Sequence, residues 1–251
     1  MSKRIAVSGA TGRLGSLVCS VAEEHPGWEL VARLNSASPV DEGADAEVLV
    51  DVSHPDASPA IVERALARGQ RVIIGTSGWS ADRLATLQLR VSELGGAVLV
   101  VPNFSLGSVI GTALARAAAP YFDAIEVIEA HHPHKVDSPS GTAVRTAELM
   151  AAARSGRAVD APFVEQPARG ELVAGIPVHS LRLAGVVAKQ EVRFGGPGEV
   201  LTVTHDTHSD EAYRAGIRAA LDYIASADGL TVGLDEALGL TGFGTTSEAR
   251  A

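Results

Sequence analysis

Histidines, a lysine and a predicted helix start are concentrated in the fifteen residues from Glu129 to Ala143. The stretch runs Glu-Ala-His-His-Pro-His-Lys-Val-Asp-Ser-Pro-Ser-Gly-Thr-Ala. An imidazole or an ammonium group can deliver a proton to a substrate and stabilise negative charge that develops during a reaction. The histidines, His131 and His132 among them, are therefore candidate proton donors, and Lys135 places a positive charge in the same stretch.

The end of this stretch predicts a helix start that can bind a carboxylate. Ser140 is a favourable N-cap residue, and the N–H groups of Gly141 and Thr142 then point out of the helix. Lys135 adds a full positive charge near that point. We predict a site for a small dicarboxylate substrate, with Ser140, Gly141 and Thr142 among its ligands.

The histidines admit two other interpretations. Three histidines suggest a metal site, but the spacing is not H-E-x-x-H and no cysteine or carboxylate cluster completes a ligand set. A lysine among them also disfavours a bound cation, so we predict no metal. The remaining alternative is a polar loop with a hydrogen-bonded histidine and no catalytic role.

A glycine-rich turn near the amino end has the context of a dinucleotide site. It follows the apolar strand-like run Ile5–Ser8 and precedes a predicted helix, so its backbone can approach a pyrophosphate closely. The spacing is G-x-x-G-x-x-G, and a tight turn of any α/β protein is the alternative. The predicted cofactor ligands here are Gly9, Ala10, Thr11, Gly12, Arg13, Leu14 and Gly15.

Two later turns should lie at the same edge of the predicted sheet. Ligands of open parallel sheets bind beyond the carboxyl ends of the strands, so both turns are candidates to face a nicotinamide. Gly75, Thr76 and Ser77 follow the strand that ends at Ile74. The second turn, after the strand that ends at Val101, contains Pro102, Asn103, Phe104 and Ser105.

The end of the second predicted strand bears on the choice between NADH and NADPH. NAD-selective folds place an acidic residue about 20 residues past the glycine turn, where it binds the adenosine ribose. Asn35 stands there, and a neutral amide does not repel a 2′-phosphate. Ser36 can donate to that phosphate, and Arg13 or Arg33 can add positive charge. We predict that both cofactors are accepted, NADPH at least as well as NADH. The alternative is that Asn35 only shapes a turn.

Taken together, these motifs resemble the 4-hydroxy-tetrahydrodipicolinate reductase family. The family signature E-[AL]-H-H-x-x-K-x-D-A-P-S-G-T-A is similar to Glu129–Ala143, with Ser138 in place of the usual Ala. Gly9–Gly15 and the two later turns resemble the family's cofactor turns. The resemblance continues through Gly175–Gly185 and Thr231–Leu234, and it covers nearly the whole chain except the tail.

The resemblance implies an NAD(P)H-dependent oxidoreductase of the diaminopimelate route to lysine. Such an enzyme delivers hydride to an unsaturated cyclic imine with loss of water. By this resemblance His131 is the proton donor or acceptor, and Lys135 is a second proton donor and a carboxylate ligand. The resemblance also implies that His132 and the pair Gly141 and Thr142 bind the substrate. The family also implies a homotetramer that assembles through the sheets of the second domains. Asn35 departs from the family, which often carries Asp or Glu there.

The elements that must position these motifs alternate over the first hundred residues. Short apolar strands and helices, joined by Gly-containing turns, predict an α/β fold with a Rossmann-like parallel sheet. The predicted strands are Ile5–Ser8, Glu29–Leu34, Glu47–Val52, Arg71–Ile74 and Ala97–Val101, and the predicted helices are Leu14–Ala22, Ala60–Ala67 and Ala81–Leu94.

The pattern after Asn103 predicts a mixed α+β domain, to which the resemblance assigns substrate binding and oligomerisation. Helices are expected at Leu106–Ala118 and Gly141–Arg154 around a strand at Ala124–Ala130, followed by a long loop over residues 155–175. Three consecutive strand-like segments then predict an antiparallel meander. These segments are Pro177–Leu183, Val186–Phe194 and Glu199–Thr204.

The predicted organisation has two domains and a tail. Residues 1–105 form the dinucleotide-binding domain and residues 106–209 the second domain. Residues 210–240, with a helix from Asp210 to Ala225, are expected to return to the first domain. The polar tail, residues 241–251, is expected to be disordered.

Composition excludes several other function classes. The chain has 251 residues and a net charge of −9, which disfavours nucleic acid and anionic membranes as partners. Cys19 is the single cysteine, so no disulfide framework forms within the chain. The apolar run at the amino end is too short for a signal segment or a membrane span, and a cytoplasmic location is predicted.

Two rival functions fit parts of the pattern. A short-chain dehydrogenase or epimerase has a similar glycine turn but needs a Tyr-x-x-x-Lys pair. Tyr121, Tyr213 and Tyr223 are instead followed four residues later by Ile125, Ile217 and Ala227. A non-catalytic, NAD(P)-sensing regulator would need neither His131 nor Lys135. Consumption of NAD(P)H only in the presence of the dipicolinate precursor distinguishes an enzyme from such a regulator.

Overall fold

The computed structural model describes residues 2–240 and 242–243. The expectation of a disordered tail over residues 241–251 therefore falls on residues outside those described, apart from Gly242 and Phe243. Two compact units divide the chain. The first comprises Met1–Ser105 and Tyr213–Gly239, and the second is built mainly from Leu106–Ala212.

The elements are numbered here in chain order. The strands are β1 (Lys3–Ser8), β2 (Trp28–Leu34), β3 (Val48–Asp51), β4 (Arg71–Ile74), β5 (Ala97–Val100), β6 (Ala124–His131), β7 (Glu171–Val173), β8 (Ile176–Arg182), β9 (Ala188–Gly196), β10 (Glu199–Thr207) and β11 (Gly229–Val232). The α-helices are α1 (Arg13–Glu24), α2 (Ser58–Ala67), α3 (Ala81–Leu94), α4 (Leu106–Ala118), α5 (Gly141–Ala153) and α6 (Arg214–Ile224).

The first unit is a six-stranded parallel sheet in the order β11-β5-β4-β3-β1-β2. Strands β3 and β5 are buried along their whole length, as expected for a parallel sheet with helices on both faces. In one hydrophobic core, α2 and α3 pack against alternate residues of the strands, including Leu49, Val72 and Val98. The prediction of a Rossmann-like α/β sheet is confirmed. Strand β11 was not predicted, because four residues beginning with glycine give little periodic signal.

The second unit is a five-stranded mixed sheet in the order β10-β9-β6-β8-β7. Its core contains Val127, Val192 and Phe194 from the sheet and Ala147 and Met150 from α5. The prediction of a second, mixed α+β unit is confirmed.

The predicted antiparallel meander is wrong in one respect. β9 and β10 form an antiparallel hairpin, but β8 does not pair with β9. Strand β6 lies between them, parallel to β8 and antiparallel to β9. Two strand spacings amount to about 10 Å, which the connection over residues 183–187 spans easily. Local turn signals favour pairing of consecutive strands. They contain no information about the insertion of β6 between β8 and β9.

Two smaller expectations also need correction. The predicted loop over residues 155–175 contains a short 3-10 helix, Pro167–Arg169, and the edge strand β7. The helix predicted from Asp210 to Ala225 begins as a 3-10 turn over Asp210–Tyr213 and continues as α6.

Candidate active site

The glycine turn follows β1 at the carboxyl edge of the parallel sheet. Gly9 has a φ of +81°, and a Cβ atom built there would lie 2.4 Å from the carbonyl oxygen of Val52. A Cβ atom built on Gly15 would lie 2.0 Å from the carbonyl oxygen of Gly9. Any larger side chain would clash with backbone at both positions, so the turn requires glycine.

The same turn leaves the start of α1 available to a ligand. Gly12 is the N-cap residue and provides no side-chain cap, so the first N–H groups of α1 point out of the helix. The N–H groups of Gly9 and Ala10 donate to the carbonyl oxygen of Leu34 at 3.0 and 3.1 Å, which holds the turn beside the end of β2. This arrangement fits the pyrophosphate of a dinucleotide.

The two later turns, which the sequence predicts as cofactor ligands, lie against one another. A Cβ atom built on Gly75 would lie 2.7 Å from Cε2 of Phe104 and 2.9 Å from Cγ1 of Val52. Thr76 is buried and Ser77 is exposed. Three of the predicted turns therefore occupy one edge of the sheet, beyond the ends of β1, β4 and β5.

The other predicted members of the turn after β5 have different exposures. Pro102 is exposed, Asn103 is half-buried and Ser105 is buried. The side-chain oxygen of Asn103 accepts the N–H of Ser105 at 2.8 Å, which shapes the turn that precedes α4.

Asn35 is exposed directly after β2. Its Oδ1 accepts the N–H of Ala37 at 2.8 Å, the bond expected of a turn-shaping asparagine. Arg33 is engaged elsewhere, because its Nη2 contacts Oε1 of Glu23 at 2.5 Å. Arg13 is exposed at the start of α1 and is the arginine of the glycine turn.

In the second unit, the predicted substrate residues occupy one continuous segment. His131 is the last residue of β6, and Ser140 is the N-cap of α5, where its Oγ accepts the N–H of Ala143 at 3.2 Å. A turn between them is closed by the N–H of Lys135, which donates to the carbonyl oxygen of His132 at 3.1 Å. The segment contains His131, His132, Lys135, Ser140, Gly141 and Thr142.

A buried carboxylate organises this segment. Glu129 is fully buried, and its Oε2 lies 2.6 Å from Nδ1 of His131 and 3.0 Å from Nη1 of Arg182. Its Oε1 accepts the backbone N–H of Ser140 at 3.3 Å. One side chain thus connects the end of β6, the end of β8 and the start of α5.

This contact determines which nitrogen of His131 can exchange protons. An ionised carboxylate only accepts hydrogen bonds, so Nδ1 of His131 must carry a proton. Nε2 is then the nitrogen that can accept or deliver a proton on the substrate side. Glu129 therefore selects one tautomer of the candidate catalytic histidine.

Burial and charge shift both titrations. Burial lowers the pKa of the His131 imidazole, and the hydrogen bond and charge of Glu129 offset this only in part. Burial raises the pKa of the Glu129 carboxyl, but hydrogen bonds from Ser180, His131 and Arg182 outweigh it, and the net pKa is lowered. Glu129 therefore remains a carboxylate through the neutral range.

Arg182 also holds the loop that carries Lys135. Its Nε donates to the carbonyl oxygen of Lys135 at 3.3 Å, and its Nη2 donates to the carbonyl oxygen of Asp137 at 2.5 Å. The ammonium of Lys135 contacts Oδ1 of Asp137 at 2.8 Å. The hydrogen bond from Lys135 lowers the pKa of the Asp137 carboxyl, and the backbone N–H of Gly141 lowers it further. Asp137 shows that Lys135 and the helix start can bind one carboxylate together.

Sequence reasoning missed two residues of this site. Glu129 belongs to the motif, and its position two residues before His131 on a strand places both side chains on one face. That spacing could have identified it. Arg182 comes from β8 and gave no local signal. His132 is exposed, and its ring lies 6.2 Å from that of His134.

Within residues 2–240 and 242–243, no group of three or more His, Cys, Asp or Glu side chains is arranged to hold a metal ion. In the same residues, no helix has the length and apolar character needed to cross a membrane.

Comparisons with known proteins cover almost the whole chain. The family model "Dihydrodipicolinate reductase, N-terminus" matches residues 3–104, and the model "Dihydrodipicolinate reductase, C-terminus" matches residues 107–238. A 4-hydroxy-tetrahydrodipicolinate reductase of Clavibacter michiganensis subsp. michiganensis is 50% identical over 244 residues, which cover 96% of this chain and 88% of the relative. One of Mycobacterium ulcerans is 40% identical over 243 residues, covering 94% and 99%. A dipicolinate-bound dihydrodipicolinate reductase from Paenisporosarcina sp. TG-14 is structurally similar, with a TM-score of 0.80, 28% identity and coverage of 94% and 99%.

Proposed function

The chain belongs to the dihydrodipicolinate reductase family, and from this premise we propose which of its residues perform the reaction. It is an NAD(P)H-dependent oxidoreductase of diaminopimelate and lysine biosynthesis. It reduces 4-hydroxy-tetrahydrodipicolinate to tetrahydrodipicolinate with loss of water. Neither rival function, the regulator nor the short-chain dehydrogenase, is favoured by these relatives.

The contact between Glu129 and His131 carries the proposal for catalysis. The reaction adds a hydride and a proton to the substrate and releases water, and the nicotinamide supplies the hydride when it is bound. His131, with Nδ1 held at 2.6 Å from Glu129, exchanges the proton through Nε2. An imidazolium at this position also stabilises negative charge that develops as hydride arrives.

Lys135 and the start of α5 bind a substrate carboxylate in this proposal. The support is the Asp137 carboxylate, which contacts both the Lys135 ammonium and the N–H of Gly141. The substrate has two carboxylates, and His132, Ser140 and Thr142 are assigned to hold it in place. Lys135 is also a second proton donor, because its ammonium lies in the same segment as His131.

The first unit is assigned to the cofactor. Its proposed ligands are Gly9 to Gly15, Asn35, Gly75 to Ser77 and Pro102 to Ser105. We propose that NADPH is used at least as well as NADH, because the Asn35 amide is neutral and Arg13 is exposed in the glycine turn. Oδ1 of Asn35 accepts the N–H of Ala37, so the amide NH2 is the group of Asn35 that would donate to a phosphate oxygen.

We further propose that the protein is a cytoplasmic homotetramer. The support is the face of the second sheet opposite α4 and α5, where Leu181 and Val200 are 45% and 68% exposed. Apolar side chains on an open sheet face favour association with a second copy. Light scattering coupled to size-exclusion chromatography should give four times the chain mass, and Leu181→Glu should reduce it.

A coupled assay tests the proposed function. The substrate is generated in place by the preceding synthase, and loss of NADPH absorbance is followed with and without it. His131→Ala should lower kcat by roughly 10²–10⁴-fold with a smaller effect on cofactor affinity. His134→Ala, an exposed histidine of the same loop, is the matched control and should retain near-normal kcat.

The outcomes separate an enzyme from a binding protein. Substrate-dependent oxidation of NADPH that His131→Ala abolishes supports both the reaction and the residue. Near-normal kcat in His131→Ala would remove His131 from the mechanism. Cofactor binding without turnover in wild type would support the sensing regulator instead.

A further inference from the structure

A second buried carboxylate lies in the first unit, at the edge of the sheet that carries the cofactor turns. Asp51 is the last residue of β3 and is fully buried. Its Oδ1 accepts the hydroxyl of Ser53 at 2.5 Å and the N–H of Ser53 at 3.3 Å. Its Oδ2 accepts the hydroxyl of Thr76 at 3.0 Å and that of Ser58. A buried carboxylate is costly unless hydrogen bonds satisfy it, so four donors on one side chain indicate a built arrangement.

The donors come from three separate segments. Ser53 follows β3, Ser58 is the first residue of α2, and Thr76 lies in the turn after β4. The indole N–H of Trp79 donates to Oγ of Ser58 at 3.1 Å, which extends the network by one more side chain. Asp51 therefore determines the spacing between the end of β3, the start of α2 and the turn that contains Gly75, Thr76 and Ser77.

Backbone contacts bring the glycine turn to the same point. The N–H of Gly75 donates to the carbonyl oxygen of Asp51 at 2.8 Å, and the N–H of Val52 donates to that of Ser8 at 3.0 Å. The Val52 carbonyl occupies the space that a side chain on Gly9 would need. A shift of Asp51 is thus transmitted to two of the three cofactor turns.

We propose that Asp51 is a positioning residue for the cofactor site, which holds the turn Gly75–Ser77 at the distance from the glycine turn that the nicotinamide dinucleotide requires. This inference rests on the proposed function, because it assigns these turns to the cofactor. Asp51 acts through Thr76 and the backbone of Gly75. Its effect should therefore appear in cofactor affinity more than in the chemical step.

A buried polar residue at the opposite edge of the same sheet provides a matched control. Gln70 precedes β4 and is 4% exposed. Its Nε2 donates to the carbonyl oxygens of Gly43 and Ala46, both at 2.9 Å. Replacement of either Gln70 or Asp51 should lower stability, but Gln70 lies away from the carboxyl ends of the strands.

The experiment measures the Kd of NADPH by fluorescence titration, and kcat and KM by the coupled assay, for wild type, Asp51→Asn, Ser58→Ala and Gln70→Met. Asp51→Asn should raise the Kd of NADPH by about 10-fold or more and change kcat at saturating cofactor by about 3-fold at most. Ser58→Ala removes one donor from Asp51, and Ser58 is not a predicted cofactor ligand. It should raise the Kd by about 3-fold.

Gln70→Met should leave the Kd within about 2-fold of wild type while lowering the unfolding temperature. An unchanged Kd in Asp51→Asn, or an equal rise in Gln70→Met, would overturn the inference. If Asp51→Asn does not fold, Ser58→Ala provides the test. An unchanged Kd of NADPH in Ser58→Ala would also overturn the inference. Failure of the proposed function would look different, because wild type itself would then show no substrate-dependent oxidation of NADPH.

Discussion

The two units hold their buried carboxylates in different ways. Glu129 lies between an imidazole and a guanidinium, at 2.6 and 3.0 Å. The donors to Asp51 named above are three hydroxyls and one backbone N–H, all neutral. One partner of Glu129 is an imidazole, which exchanges protons near neutral pH, whereas the hydroxyl and amide donors to Asp51 do not. We therefore expect the second unit to bind charged groups and transfer protons. The first unit is expected to bind its ligand through backbone and neutral groups.

The largest effect is expected where the second unit uses full charge. Lys135→Ala should weaken competitive inhibition by pyridine-2,6-dicarboxylate, a planar mimic of the substrate, by about 2–5 kcal/mol. The physical reason is that the Lys135 side chain is only 23% exposed, so its charge is poorly screened. Inhibition constants against the substrate give the measurement. Lys189→Ala, a lysine on β9 outside the loop, is the control, and an unchanged constant in Lys135→Ala would place the carboxylate elsewhere.

The next effect tests whether the charge of Glu129 matters beyond its shape. Glu129→Gln keeps the volume but removes the charge that holds the proton on Nδ1 of His131, and kcat should fall by about 10²–10³-fold. Glu126→Gln is a closely matched control. Glu126 lies on the other face of β6 and also contacts a histidine, His179, at 2.5 Å. Equal losses of kcat in both variants would reduce Glu129 to a structural role.

A smaller effect is expected in the first unit, where the ligand meets neutral groups. Asn35→Asp should shift the ratio of kcat/KM from NADPH toward NADH by about 1–2 kcal/mol, because a carboxylate repels a 2′-phosphate even in a high dielectric. Asn35→Ser, which stays neutral, should leave the ratio near that of wild type. A wild type that strongly prefers NADH, or an Asp variant with an unchanged ratio, would show that this position does not set selectivity.

The features that sequence predicted well are local ones. The tight glycine turn after β1 and the Ser140 N-cap of α5 each depend on residues close together in the chain. The apolar runs of β3, β4 and β5 predict buried parallel strands, because such a run is a property of consecutive residues. Family resemblance strengthened these assignments because the motifs are long and continuous.

The features that sequence did not predict are contacts between distant segments. Arg182 reaches Glu129 across 53 positions, and the insertion of β6 between β8 and β9 joins strands that are not consecutive. Thr76 reaches Asp51 across 25 positions. No periodicity encodes such partners, because they follow from the strand order of the sheets and not from the local pattern.

The smallest predicted effect concerns stability and pH, and it belongs to the second unit. Burial lowers the pKa of His131 in the folded protein below that of the unfolded chain, so the unfolded state binds more protons between the two values. Unfolding free energy should therefore fall as pH decreases below about 6.5. The pKa of Glu129 is also lowered, but its contribution to stability is fully present above about 4.5 and is lost only at lower pH. The contribution of Glu129 to the unfolding free energy is therefore constant over the pH range in which His131 titrates.

Urea unfolding at pH 7.5 and 5.5 measures the decrease in unfolding free energy between the two pH values. His131→Gln should make this decrease smaller, because the variant lacks the group whose pKa burial lowers. His205→Gln is an informative companion, because burial also lowers the pKa of His205 and its replacement should flatten the profile in the same direction. Equal pH dependence in wild type and His131→Gln would mean that His131 titrates alike in the folded and unfolded states, and the contrast between the two carboxylates would then rest on geometry alone.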